Sequence, residues 1–205
     1  VAPMQTPRRQ GRPPVLENAY ERILDGAAVL FAQKGFDASS ISEIATTVGM
    51  SKAAVFHYFP AKQDIYDAII VRALRGLKDQ VSDAVNNDNA SLDRLRLFMT
   101  SHASYFEENF WSFVTMLIGY GGMATPTLKQ EALALRDEYE SLLREIIREG
   151  VKQEQIKDVD PVDASRAILS MLNWMARWFK PGGERSAAQV AEDYYSIIVG
   201  GLKRA

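Results

Sequence analysis

Apolar residues return every third or fourth position along almost all of this chain, and the strict alternation of a half-buried strand is nearly absent. That period restricts the fold to amphipathic helices packed on one another. Glycines, prolines and polar clusters cut the pattern into about nine segments. Ile23, Ala27, Leu30 and Phe31 make one face of a first helix over 15–34, and Gly35 stands where a helix C′ glycine belongs. Ser40 and Glu43 have the spacing of a capping box, so a second helix starts near Ile41. Its inner face is Ile41, Ile44, Ala45 and Val48, and it stops at Gly49. Ser51 caps a short third helix to about Tyr58, and Pro60 ends it.

A long fourth helix is expected over 62–85, with Ile65, Ile69, Leu77 and Val81 inward. After the polar break at 86–89, Ser91 is expected to cap a fifth helix carrying Leu95, Phe98, Met99, His102 and Phe106. A sixth covers 111–118, and Gly119-Tyr120-Gly121-Gly122 interrupts it. Pro126 opens a seventh that ends at Gly150. Asp160-Pro161 starts an eighth reaching Phe179, and Ser186 with Gln189 caps a ninth through Gly200. The expected fold class is all-α.

Composition removes several functions. There is no cysteine, hence no disulfide framework and no cysteine-ligated metal, and His57 and His102 are too few for a multi-histidine site. No apolar run reaches the roughly 18 residues of a membrane span. The arginine-bearing start lacks the apolar core of a secretory signal, so a cytoplasmic protein is expected. The glycines at 119–122 follow no strand and lack phosphate-loop spacing. No nucleophile–base set, metal set or cofactor loop is visible.

The net charge of −2 hides an uneven distribution. Residues 1–62 hold seven basic and five acidic groups; the remainder holds 17 and 21. Residues 1–14 carry Arg8, Arg9 and Arg12, no acid and four prolines. They read as a flexible basic arm, either a plain tail or a segment that reaches DNA.

The second and third helices are short, are joined through Gly49, and each begins at a serine cap, which is the layout of a helix-turn-helix. On the third helix, Val55, Tyr58 and Phe59 face inward with Ser51, while Lys52, Ala53, Phe56 and His57 form the opposite stripe. Phe56 and His57 either pack on a neighbouring helix or meet DNA, where a ring contacts thymine methyls or sugar carbons. Ser40, Ser42 and Thr46 bring hydroxyls to the anion-attracting start of the second helix. Lys62 stands at a helix N-terminus, an unfavourable place for a cation that a nearby phosphate would explain.

The stretches Gly35-Phe36-Asp37-Ala38-Ser39-Ser40-Ile41-Ser42-Glu43-Ile44-Ala45, Val48-Gly49-Met50-Ser51-Lys52 and Phe56-His57-Tyr58-Phe59-Pro60-Ala61-Lys62-Gln63-Asp64-Ile65 resemble the DNA-binding domain of TetR/AcrR-family repressors. The resemblance covers about 16–65. It implies phosphate contacts from Ser40, His57, Tyr58 and Lys62, and contacts at or near base edges from Lys52, Ala53 and Phe56. Phe56 stands where many members have tyrosine, and Ala53 where many have glycine. It also implies a dimer that binds a double-stranded DNA operator, and a second domain with an effector pocket. The chain then divides into an arm (1–14), a reader (15–62) and a ligand-binding and dimerisation domain (63–205).

For the pocket, aromatic and sulfur side chains of the second domain are the candidates: Phe98, His102, Phe106, Phe113, Met116, Tyr139, Met171, Trp174 and Trp178. The matching effector is a hydrophobic small molecule. For the dimer interface the candidates are Ala164, Ala167, Ile168 and Met175 on the eighth helix, and Val190, Tyr194, Ile197 and Ile198 on the ninth. The end of the chain from Trp174 to Leu202 resembles regulators of fatty-acid, aromatic-acid or steroid catabolism, which implies an acyl-CoA or fatty-acid-like effector, with Arg136, Arg144, Arg166 and Arg177 as candidate phosphate partners. The alternative is an all-helical enzyme or binding protein for a lipid-like molecule.

Overall fold

The computed structural model describes residues 18–86 and 90–202. The basic arm with Arg8, Arg9 and Arg12 lies outside them. Among the described residues the chain forms nine α-helices: α1 (Ala19–Lys34), α2 (Ile41–Thr47), α3 (Lys52–Tyr58), α4 (Lys62–Val85), α5 (Ser91–Glu108), α6 (Phe110–Gly119), α7 (Pro126–Lys152), α8 (Pro161–Trp174) and α9 (Ala187–Leu202). Single 3₁₀ turns follow α6 (Tyr120–Gly122) and α8 (Met175–Arg177).

The caps explain most boundaries. Ser40 accepts the Glu43 amide while Glu43 reaches back to the Ser40 amide. Ser51 accepts from Ala54, and Asp160 from Val162 and Asp163. Ser186 and Gln189 exchange the same pair of bonds at 2.9 and 3.2 Å. Gly49 sits at φ 66°, where a side chain would be strained, and this turns the chain between α2 and α3.

Besides shifts of one to four residues at the ends of α1, α6 and α9, three boundaries differ from expectation. Ser91 does not cap α5; it is the buried first residue of the helix, its hydroxyl bonded to Gln153, and Ala90 is the cap position. Gly150 does not end α7, which runs on to Lys152. That glycine is buried where a Cβ would come 2.6 Å from Ile156, so it is there for close packing. Finally, α8 stops at Trp174 rather than Phe179. The tighter turn that follows buries Met175 and brings Phe179 onto Phe106, ring centroids 5.4 Å apart, while Trp174 and Trp178 are left outside.

α4 is the axis of the molecule. Its start closes the α1–α3 unit, and α1, α5, α6 and α7 pack along it. α9 lies mainly on α5, and α8 on α7. The apolar core is continuous, from Ile23 and Phe31 through Ile65 and Ile69 to Phe106, Phe113 and Leu172. A buried carboxylate fixes α4 to the α6–α7 connection: Asp67 accepts the side-chain amide of Gln63 at 2.7 Å and the Thr125 amide at 2.8 Å. Gln63 also donates to the Gly122 carbonyl.

Candidate DNA-reading surface and ligand cavity

On α3, Val55 and Phe59 are buried, Tyr58 is half-buried, and Lys52, Ala53, Phe56 and His57 are exposed. Ser51 is exposed too, with its oxygen spent on the helix cap. Phe56 keeps 42% of its surface open, so the reading that buries it against a neighbouring helix does not hold. The Lys52 ammonium lies 5.7 Å over the Phe56 ring, and His57 meets Tyr58 edge to face. The stripe is therefore a small, cationic and aromatic surface on one face of a short helix.

The hydroxyls near α2 are less open than the sequence suggests. The Ser40 hydroxyl donates to Glu43 and accepts the Glu43 amide. Hydrogen bonds from the Lys34 ammonium and from Ser40 hold the Glu43 carboxyl below its ordinary range. A carboxylate thus stands at the helix start where phosphate is expected. Thr46 donates its proton to the Ser42 carbonyl, whereas Ser42 has an exposed hydroxyl with no hydrogen bond to the described residues.

Lys62 has a local reason for its place. Its ammonium donates to the carbonyls of Phe36 (2.6 Å) and Ser39 (2.8 Å) and lies 4.1 Å over the Phe36 ring. Two carbonyls, rather than a phosphate, account for a cation at this helix start. Arg22, which belongs to none of the sequence motifs, donates to the Val48 carbonyl at 2.7 Å and secures the end of α2 on α1. Nothing in local periodicity signals that bond, which spans 26 residues.

The second site is a cavity of about 150 Å³ between five helices. α4 gives Leu74 and Leu77, α5 His102, α6 Met116 and Leu117, α7 Arg136, Tyr139 and Glu140, and α8 Leu169 and Asn173. The floor residues are buried; Leu117, Arg136, Glu140, Leu169 and Asn173 are half-exposed and form the mouth. Of the expected pocket residues, His102, Met116 and Tyr139 meet here. Phe98, Phe106 and Phe113 are fully buried beside it: Phe98 stacks on Tyr139, and Phe113 meets both His102 and Phe106. Met171, Trp174 and Trp178 do not line it. Trp174, 63% exposed, borders a surface groove with Ile118 and Arg177, and Trp178 borders another with Tyr194 and Ile197. The tighter turn after α8 sends Met175 and Phe179 inward and leaves Trp174 and Trp178 facing out.

Inside the cavity, Tyr139 Oη lies 2.7 Å from His102 Nδ1. Burial pushes the His102 pKa down to about 3 and that of Tyr139 well above its ordinary value, so both are neutral. Of the four arginines, Arg136 lines the mouth beside Asp137 and Glu140. Arg144 bonds Glu140 at 2.5 Å, Arg166 pairs with Asp163, and Arg177 lies over Trp174.

The expected interface residues divide. Ile168, Met175 and Val190 are buried in the protomer's own core and have no surface to offer a second copy. Ala167 and Ile197 are exposed, Ile197 at 68%; Ala164, Tyr194 and Ile198 are half-exposed. Apolar spacing alone cannot separate a face turned to the core from one turned to a partner.

Comparison with known proteins then decides the family. The profile of bacterial regulatory proteins of the tetR family matches residues 23–69, and that of tetracyclin repressor-like C-terminal domains matches 88–202. The chain belongs to the TetR family. PfmR, a TetR-family regulator from Thermus thermophilus, is 45% identical, with 89% of this chain and 100% of that chain covered and a TM-score of 0.82. AibR, solved in complex with isovaleryl coenzyme A and operator DNA, is 27% identical over 87% of this chain and 96% of that chain, with a TM-score of 0.75. The transcriptional repressor KstR2 of Mycobacterium tuberculosis is 24% identical over 188 residues, 89% of this chain and 92% of its own. As a TetR-family member, this protein is a helix-turn-helix, DNA-binding transcriptional repressor and not an enzyme. The alternative of an all-helical enzyme falls. No helix among the described residues is long and apolar enough to cross a membrane.

Proposed function

We propose that this repressor binds a palindromic operator as a two-fold dimer and leaves it when a hydrophobic small molecule, of the acyl-CoA or fatty-acid-like class, enters the cavity. The observation that carries this reading is the course of α4. Leu74 and Leu77 wall the cavity, while Lys62, at the start of the same helix, grips the α1–α2 loop of the reader. A ligand that favours one position of α4 therefore biases the reader's orientation. The isovaleryl coenzyme A bound by AibR supports the effector class.

In this reading α3 enters the major groove. Lys52, Ala53 and Phe56 meet base edges or their sugars, and Ser42, Ser51, His57 and Tyr58 lie along the phosphates. Lys62 has three N–H groups and spends two on carbonyls, which leaves one for phosphate. Ser40 and Thr46 reach phosphate only if their present bonds exchange. The dimer face is the exposed side of α8 and α9, with Ala164, Ala167, Tyr194, Ile197 and Ile198, completed by Trp178 from the turn after α8.

Fluorescence anisotropy on the DNA flanking the protein's own gene tests the proposal. Nanomolar binding that weakens steeply with salt, and is reversed by isovaleryl coenzyme A, is expected. Absence of binding at low salt would refute it. Ile197→Glu should give monomers in analytical ultracentrifugation, and an intact dimer would move the interface elsewhere.

A further inference from the structure

The cavity has room for only a small part of an acyl-CoA, and a larger space adjoins it. A dry cavity of 150 Å³ accepts a benzene-sized group of about six non-hydrogen atoms, the size of a short acyl chain alone. Leu117 and Asn173, at its mouth, also wall the surface groove of about 640 Å³ that Trp174 borders, so the two spaces meet across that pair of side chains. The end of α8 and the turn after it give the groove Ser170, Trp174 and Arg177. Arg177 is exposed, pairs with no carboxylate among the described residues, and lies 5.8 Å over the Trp174 ring. No acidic side chain lines the groove. Arg136, Arg144 and Arg166, by contrast, are each met by a carboxylate. Ser170 adds an exposed hydroxyl that makes no hydrogen bond to the described residues. An open indole and a guanidinium without a counter-charge thus stand together beside an apolar cavity.

We propose that this groove is the subsite for the nucleotide end of an acyl-CoA. The adenine stacks on Trp174 and Arg177 takes a phosphate, while the acyl chain fills the cavity and the pantetheine arm passes between Leu117 and Asn173. This rests on the reading that the cavity takes the effector. An exposed indole is a stacking platform for a purine, worth more than a contact with an aliphatic chain. A guanidinium matches phosphate through two parallel N–H groups, and a groove wall without acids favours an anion. The order of the parts fits as well. Along an acyl-CoA an apolar chain, an uncharged arm with two amides and a charged nucleotide follow one another. Along the protein the apolar cavity, the half-buried Asn173 amide and the Trp174–Arg177 pair follow in the same order. None of the side chains assigned to the dimer face lines the groove. Ala32 of α1 does, so a nucleotide there lies against the first helix of the reader.

Calorimetry on the full chain with two thioesters of one acyl group tests this. They are isovaleryl coenzyme A and S-isovaleryl pantetheine, which lacks the nucleotide. The first is expected to bind at least ~10-fold more tightly. Trp174→Ala and Arg177→Gln replace exposed side chains and should leave the fold intact. Each should weaken isovaleryl coenzyme A about 10-fold and change S-isovaleryl pantetheine by less than about twofold. Equal affinity of the two thioesters for the unmodified protein, or equal losses for both in the variants, overturns the subsite while the effector reading stands. Failure of both thioesters to bind overturns the effector class as well. Analytical ultracentrifugation separates this subsite from a protein interface. Trp174→Ala should sediment as the unmodified protein does, and its dissociation to monomers would give the groove to a second copy and overturn the proposal. Fluorescence supplies a readout at the ring itself. In a chain carrying Trp111→Phe and Trp178→Phe, Trp174 is the one remaining tryptophan. Saturating isovaleryl coenzyme A should quench it and S-isovaleryl pantetheine should not; an indole that responds alike to both contradicts stacking by the adenine.

Discussion

The reader and the cavity are built in opposite ways. The reader comes from one short run of chain, in which two capped helices and a glycine turn set four exposed side chains on a surface. The cavity takes one to three residues from each of five helices, between Leu74 and Asn173. The first is a local design whose geometry follows from helix period and caps. The second exists only when distant helices pack. A surface stripe tolerates substitution in the folded protein and expresses it in binding; a buried pocket expresses substitution in stability first.

Lys62 stands where the two meet, and its replacement should have the largest effect at neutral pH. Lys62→Met leaves two carbonyls without their donor, so a stability loss of about 1.5–3 kcal/mol is expected in urea unfolding. Affinity for every DNA sequence should fall alike. Loss of affinity at one base position only would make Lys62 a base reader and break the distinction between positioning and reading.

The next effect is pH-dependent and belongs to the cavity alone. His102 is neutral in the folded protein down to about pH 3, whereas an unfolded histidine takes its proton near pH 6.5. Between those values the unfolded state binds more protons, so stability falls as pH falls, by about 1.4 kcal/mol per unit from this group. His102→Leu should flatten that part of the profile, measured as urea midpoints against pH. An unchanged slope would mean that His102 is hydrated in the folded protein.

The smallest effect on stability, within about 0.5 kcal/mol, is expected for Phe56→Ala. Its effect lies in binding: base preference in a competition assay should relax. A loss of stability with unchanged preference would place the ring in the core.

What is legible in the sequence follows the same contrast. Caps at Ser40, Ser51, Asp160 and Ser186, and the inward faces of α1 to α5, follow from periods of three and four. So does the exposed stripe of α3. The cavity is legible only in part. His102 stands out as a polar ring on an apolar face, and Met116 and Tyr139 come with the aromatic and sulfur residues. Leu117, Glu140, Leu169 and Asn173 carry no sign in sequence that they share a cavity. Trp174 and Trp178 fall outside the site expected for them because composition says that a tryptophan exists and not which way the chain turns. Ile168, Met175 and Val190 face the core rather than a partner, and a helix face shows the same apolar spacing in either case. Asp67 and Arg22, which tie elements together over 20 or more residues, are invisible for the same reason.

The central claim is that these two unlike sites share α4 and are therefore linked. The direct measurement is the affinity of isovaleryl coenzyme A for the protein alone and for the protein saturated with operator DNA. Linkage requires that operator weaken the ligand by the same factor by which the ligand weakens operator, expected to be about 5–150-fold. An effector affinity that operator leaves unchanged would contradict it.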